Sequence, residues 1–229
     1  MFIDADYSQI ELRVFAHISN DENMVNAFKN GVDIHQEVAS KVFEKPLDEI
    51  TKEERTKAKA VNFGIVYGIS DFGLGEQLNM PRKEAKAYIE QYLEKYSGIK
   101  EYMGKIDEEA KEKGFVSTIF GRRRYIPELK SQNYMVRQFG SRAALNMPIQ
   151  GTAADIMKLA MIEVQKQIEE RNLKSKLILQ VHDELLLEVP KEEVKEAVEL
   201  LKTSMENIVE LSVPLIAEVT SADSWYGCK

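Results

Sequence analysis

Cysteine is nearly absent: Cys228 is the only one in 229 residues. No disulfide can form within the chain, and no cysteine-based zinc site can assemble. There is no long apolar run of the kind that spans a bilayer. The opening Met1-Phe-Ile-Asp-Ala-Asp6 lacks the basic leader and apolar stretch of a secretory signal, so a cytoplasmic protein is expected. Excess positive charge is missing too. Against 38 acidic residues stand 31 basic ones, a formal net charge of -7. Composition alone therefore does not suggest nucleic-acid binding, and any anion site must be a local basic patch. Internal repeats and low-complexity linkers are also lacking.

What is present suffices for one large domain or two small ones: 44% of residues are hydrophobic and 30% charged. Local basic patches occur at Arg122-Arg123-Arg124 and along Arg55, Lys57 and Lys59. The most informative stretch runs from Arg55 to Gly68. Arg55, Lys59, Phe63 and Tyr67 recur at steps of four and so form one drifting stripe on a helix. Two cations are followed by two aromatic rings, a surface suited to the phosphates and base of a nucleoside triphosphate. Thr51-Lys-Glu-Glu54 reads as a capping box that starts this helix, and Gly68 as its stop. The competing reading makes Phe63 and Tyr67 core and leaves both cations solvated. Gly64 and Gly68 beside the rings argue that something approaches closely.

The order of elements predicts an α+β chain. Residues 2–6 read as a strand, with a helix from about Ser8 to Ile18 and a mostly helical block from about Asn23 to Lys113. Residues 115–126 suggest a short hairpin. Helices are expected over 134–147 and 152–171, separated by Pro148 and Gly151. Two apolar runs, Lys176–Val181 and Leu185–Val189, flank His182-Asp183-Glu184 and read as a second hairpin. A helix near 191–210 and a strand near 214–219 complete the chain. The expected fold is a small antiparallel sheet holding residues 2–6, 176–189 and 214–219, with a large helical lobe inserted between its strands.

Asp6 then falls at a strand-to-helix junction and Asp183 at a hairpin tip. If their strands are neighbours, the two carboxylates project from one sheet edge. Paired aspartates beside a triphosphate suit Mg²⁺, a hard cation that binds carboxylate and phosphate oxygens together. Two such ions can activate an attacking oxygen and stabilise a leaving one.

Asp4-Ala-Asp-Tyr-Ser-Gln-Ile-Glu-Leu-Arg13, Arg55–Gly68 and Val181-His-Asp-Glu184 resemble, in order, the three signature motifs of the A-family (bacterial type I) DNA polymerases. Asn146-Met-Pro-Ile-Gln-Gly151 and Phe120-Gly-Arg-Arg-Arg-Tyr125 match as well, and the likeness extends along essentially all 229 residues. The resemblance implies a palm portion at 1–20, fingers at 21–115 and palm again at 116–229. The thumb and exonuclease-like domain of the family are expected to be absent from this chain. It implies template-dependent transfer of deoxynucleotides from dNTPs to a primer 3′-OH with two Mg²⁺ ions. Asp6, Asp183 and the backbone carbonyl of Tyr7 are then the metal ligands. Arg55, Lys59 and His35 hold the triphosphate, Phe63 stacks over the nucleotide, and Tyr67 occupies the insertion site. Glu11 blocks a 2′-hydroxyl. Arg142, Asn146, Gln150 and His182 face the primer-template minor groove, where acceptors common to all base pairs report pairing geometry.

Other readings stay open at several positions. Glu11 also suits a capping box with Ser8. Glu184 is either metal-shell support or a structural turn residue. Arg122, Arg123 and Arg124 either contact the DNA backbone or sit on a solvated turn. Trp225 and Tyr226 read as packing anchors. A phenylalanine at position 63 implies discrimination against dideoxynucleotides, which Phe63→Tyr relaxes. Without a thumb, the 229-residue chain is expected to have weak or no polymerase activity and to be monomeric. A non-catalytic nucleic-acid-binding module and a metal-dependent phosphodiester hydrolase are the rival functions.

Overall fold

The computed structural model describes residues 1–229. Strand β1 (Phe2–Tyr7) leads into helix α1 (Ile10–Ser19). Helices α2 (Glu22–Lys29) and α3 (Ile34–Phe43) begin at Asp21 and Asp33, whose carboxylates accept backbone N–H groups of the first turns. Helix α4 (Lys52–Val66) begins at the expected capping box. The Glu54 N–H donates to the Thr51 hydroxyl at 3.2 Å, and the Thr51 N–H donates to the Glu54 carboxylate at 2.9 Å. It ends at Tyr67, followed by Gly68 with a left-handed φ of 67°. Then come α5 (Asp71–Leu78), α6 (Arg82–Lys95) and α7 (Ser97–Lys113), the hairpin β2 (Phe115–Ser117) and β3 (Arg123–Tyr125), and the long helix α8 (Tyr134–Glu170). Strands β4 (Lys176–Val181) and β5 (Glu184–Glu188), helix α9 (Val194–Glu206) and strand β6 (Ala217–Ala222) finish the fold.

These elements pack as two compact units, residues 1–10 with 153–229, and residues 11–152. In the first, the antiparallel sheet has the order β4-β5-β1-β6. Ile3, Ala5 and Tyr7 of β1 are buried and pair with Leu187, Leu185 and Ala217, so one sheet face is apolar. Helix α9 covers it with Ala197, Leu200, Leu201, Ser204 and Met205, buried at helical spacing. The Tyr7 hydroxyl donates to the Met205 carbonyl at 2.7 Å. Because side chains alternate along strands, the opposite face carries Asp4, Asp6, Glu184 and Glu218.

The second unit is helical apart from its small hairpin. Helix α3 packs on α4 and α6, and α5 on α6. These packing boundaries differ from the expected portions bounded at residues 20 and 115.

Three expectations about elements need correction. Residues 134–170 form one helix rather than two, with Pro148 inside it. An interior proline forfeits one hydrogen bond and crowds the preceding turn, at a cost of about 3 kcal/mol. Here the flanking Ala144, Leu145, Met147 and Ile149 are all buried, and their packing holds the helix continuous. Gly151 is no breaker either: a Cβ there would meet the Thr118 methyl at 2.7 Å, so glycine lets the hairpin pack against the helix. The last strand is Ala217–Ala222 instead of 214–219, set by its register from Tyr7↔Ala217 to Phe2↔Ala222.

Candidate active site

The acidic edge is built by strand register. Asp6 pairs with Glu184 across β1 and β5 and with Glu218 across β1 and β6. One position further, the Tyr7 N–H donates to the Asp183 carbonyl at 3.1 Å, so Asp183 sits beside the end of β1. The hairpin turns through His182, whose φ is 53°. A non-glycine residue in the left-handed region is uncommon, and it lets the chain turn within His182-Asp183. Asp6 and Asp183 thus lie next to each other on adjacent strand ends, as expected if β1 and β5 pair.

Like charges directly opposite on a sheet are destabilising. Burial, then Asp183 and Glu184, push the Asp6 carboxyl above its ordinary range, while Lys229 opposes them. No set of three His, Cys, Asp or Glu side chains is arranged to hold a metal by itself. Two carboxylates plus substrate phosphates is, however, how Mg²⁺ is commonly bound, so Asp6, Asp183 and the Tyr7 carbonyl fit that cation.

Two neighbours of this edge were not anticipated. Asp4 is buried and its carboxyl is pushed up to about 6, first by burial and then by Glu184. Burial also pushes Glu184 upward, but Lys229, Asp4 and the indole of Trp225 outweigh it and hold Glu184 low. Asp4 and Asp6 share a strand face at i and i+2, a signal already present in Phe2–Tyr7; Lys229 carried none. Trp225 is an anchor, donating its indole N–H to Glu184 at 2.7 Å. Tyr226 is not, being 91% exposed.

In the helical unit the stripe on α4 faces outward as a graded surface. Lys59 is exposed, Arg55 and Phe63 are half-buried, and Tyr67 is 42% exposed. The glycines beside the rings serve the chain itself: a Cβ on Gly64 would meet Ile69 at 2.7 Å, and one on Gly68 would meet Arg142 at 2.9 Å. Arg55 donates through Nε and Nη2 to Asp33 Oδ2 at 2.9 and 2.6 Å. Burial raises the Asp33 carboxyl, but that guanidinium and the Gln36 N–H prevail and hold it low. His35 is only 3% exposed, with Nδ1 2.9 Å from the Asn62 amide and its ring 5.8 Å from that of Phe63. Burial pushes the imidazole down to about 4, so it is neutral at pH 7. With the Asn62 amide donating to Nδ1, Nε2 carries the hydrogen. The Tyr67 hydroxyl donates to Glu11 at 2.6 Å.

Arg142, Asn146 and Gln150 follow one another at steps of four on α8, with Arg142 and Gln150 exposed and Asn146 half-buried. Arg122, Arg123 and Arg124 are exposed at the β2–β3 hairpin, and the Arg123 guanidinium lies 4.7 Å from the Phe115 ring centre. His182 is exposed and belongs to the other unit, with Asp6 and Asp183. Asp33 and Asn62 were missed as partners of Arg55 and His35; the placement of Asp33 two residues before His35 was the available hint.

The chain belongs to DNA polymerase family A, whose model matches residues 1–227. It is similar to DNA polymerase I of Caldicellulosiruptor bescii, with 54% identity over 229 residues, all of this chain and 27% of the relative. DNA polymerase I of Bacillus subtilis is 54% identical over 225 residues, 98% of this chain and 26% of the relative. Among solved structures, the POL domain of Pol1 from M. smegmatis in complex with DNA primer-template and dNTP aligns with a TM-score of 0.95. It is 46% identical, over 99% of this chain and 40% of that one. The chain thus spans about a quarter of the length of these curated relatives. None of its helices is long and apolar enough to cross a membrane.

Proposed function

We propose that this chain supplies the nucleotide-binding and metal-binding portions of a cytoplasmic DNA-directed DNA polymerase that acts on dNTPs and primer-template DNA. The observation that carries the reading is the register that seats Asp6 and Asp183 side by side, in a chain that also bears a cationic-aromatic helix. Residues 1–20 and 116–229 act as palm and 21–115 as fingers. Asp6, Asp183 and the Tyr7 carbonyl, together with the triphosphate, would hold two Mg²⁺ ions, which when bound would supply Lewis acidity to the phosphoryl transfer.

The chain's own residues position and neutralise. Lys59 and Arg55 hold the charge of the departing pyrophosphate, with Arg55 exchanging Asp33 for a phosphate oxygen. His35, neutral, donates to the triphosphate from Nε2. Phe63 stacks on the incoming base. Glu11, held by the Tyr67 hydroxyl, places a carboxylate where a 2′-hydroxyl would sit and so favours deoxynucleotides. Arg142, Asn146, Gln150 and His182 contact the minor groove, and Arg122 to Arg124 the phosphate backbone.

The test mixes the chain with primed template, Mg²⁺ and dNTPs, beside Asp183→Ala. Slow primer extension, lost in the variant, supports the reading. DNA binding without turnover would make it a non-catalytic binding module. Shortening of the DNA makes it a hydrolase.

A further inference from the structure

Asp6 is not alone on its face of the sheet. Asp4 stands two residues before it on β1, and Glu184 is its partner across the sheet. Both offer hard oxygen donors on the face that carries Asp6. They are nevertheless engaged elsewhere and buried, 5% and 7% exposed. The Lys229 ammonium forms an ion pair with Glu184 Oε2 and lies 3.4 Å from Asp4 Oδ2. The Trp225 indole donates to the other Glu184 oxygen. The segment that brings them is fastened to the sheet: Thr220 donates to the Cys228 carbonyl at 2.8 Å, and Lys229 Nζ lies 5.7 Å from the Trp225 ring centre. Both oxygens of Glu184 therefore already have partners. Asp4 Oδ1 has none.

We propose that Lys229 is a positioning residue that acts as an internal counter-ion, withholding Glu184 and Asp4 from the divalent cations of the Asp6–Asp183 edge. This rests on the reading that Asp6 and Asp183 hold those ions. The physical reason is ligand count. Cation affinity rises with the number of charged ligands, and a site with four carboxylates would fill before a nucleotide arrived. Two carboxylates leave binding dependent on the phosphates. Lys229 sets that number by occupying the other two acids, and Trp225 fixes the Glu184 rotamer that makes this possible.

The test is Mn²⁺ titration of the 229-residue chain without nucleotide, read by the electron paramagnetic resonance of free Mn²⁺. Lys229→Met keeps the aliphatic stem and removes the charge, and should tighten Mn²⁺ binding about fivefold or more. Glu184→Gln alone should change affinity less than about twofold, because Glu184 is already engaged. In the double variant the gain should shrink, because only Asp4 is then released, a non-additive cycle. Lys229→Arg should match wild type. Emission from Trp225, the single tryptophan, reports whether each variant keeps the segment folded, and Lys229→Gln repeats the cycle if Lys229→Met does not. Additive effects would show that Lys229 acts only through general charge and would overturn the proposal. So would unchanged affinity in Lys229→Met, loss of the folded segment in both neutral variants, or no Mn²⁺ binding by any variant. Asp183→Asn keeps the outcomes apart: if it leaves Mn²⁺ affinity intact, the assignment of the metal edge itself fails.

Discussion

The acidic sheet edge and the cationic stripe of α4 face the same electrostatic problem and handle it differently. On the sheet, like charges are crowded by register: Asp6 has Glu184 on one side and Glu218 on the other, with no rotamer that separates the strands. On the helix, Arg55 and Lys59 are spread by a full turn and reach into solvent. The crowded region needs a counter-ion from far along the chain, Lys229. The spread region takes one from its neighbour helix, Asp33, which also caps α3. A strand pair fixes charges to within a side chain's reach and so suits ions that must be held at short range. A helix stripe tolerates rearrangement and suits a ligand that must enter and leave.

The comparison breaks most plainly if the two regions cannot be separated by mutation. Asp6→Asn preserves shape and hydrogen bonding while deleting one charge. It should lower primer extension by about a thousandfold or more, since such metal sites supply much of the rate. It should leave the affinity for metal-free deoxynucleotide within about twofold, because the cations proposed to take the phosphates lie on α4. An equal loss in both measurements would mean the acidic edge supports the helix surface rather than the ions.

The next effect belongs to the helical unit alone. His35 is held near pKa 4, whereas an unfolded histidine titrates near its ordinary 6.5. Between these values the unfolded chain binds a proton that the folded chain does not. Stability is therefore full above about pH 6.5 and falls as pH drops toward 4, by up to about 3 kcal/mol. Urea unfolding at pH 7.0 and 4.5 should show wild type losing about 2–3 kcal/mol more than His35→Gln, which keeps an acceptor for Asn62. Equal losses would show that His35 is not held neutral by its burial.

Lys59→Ala sharpens the contrast from the other side. An exposed ammonium bound to phosphate contributes roughly 1.5–3 kcal/mol, so deoxynucleotide binding should weaken about tenfold or more. Mn²⁺ affinity without nucleotide should not change. A parallel fall in Mn²⁺ affinity would place Lys59 in the ion site.

How far the sequence carried depended on whether a residue's role is local. The capping box at Thr51 and Glu54, the stripe on α4 and the strand read over residues 2–6 are periodic or motif signals, and all three appear in the structure, the strand running one residue further to Tyr7. The adjacency of Asp6 and Asp183 was a conditional statement about pairing, which the register satisfies. What stayed hidden depends on tertiary partners. Pro148 looked like a helix break because burial of its flanks is invisible in the chain order. Gly64 and Gly68 signalled a close approach, but that Ile69 and Arg142 make it is invisible in the chain order. Lys229 carried no signal, since no spacing rule ties it to Asp4 and Glu184.

The smallest effect concerns the far end of the stripe. Tyr67 reaches Glu11 through its hydroxyl at 2.6 Å, and its ring remains 42% exposed. Tyr67→Phe keeps the ring and deletes only the donor, so a net hydrogen bond to a charged acceptor, about 1 kcal/mol at this half-exposed site, is the expected loss of stability. Glu11 then gains rotamer freedom. If its fixed position is what excludes a 2′-hydroxyl, the preference for deoxy- over ribonucleotides should fall by about the same energy, roughly fivefold, in competitive binding of dATP against ATP. A selectivity unchanged in the variant, with stability reduced, would mean the hydrogen bond only ties α4 to α1. A preference lost without any change in stability would mean the carboxylate is placed by the rest of α1 and that Tyr67 itself meets the sugar.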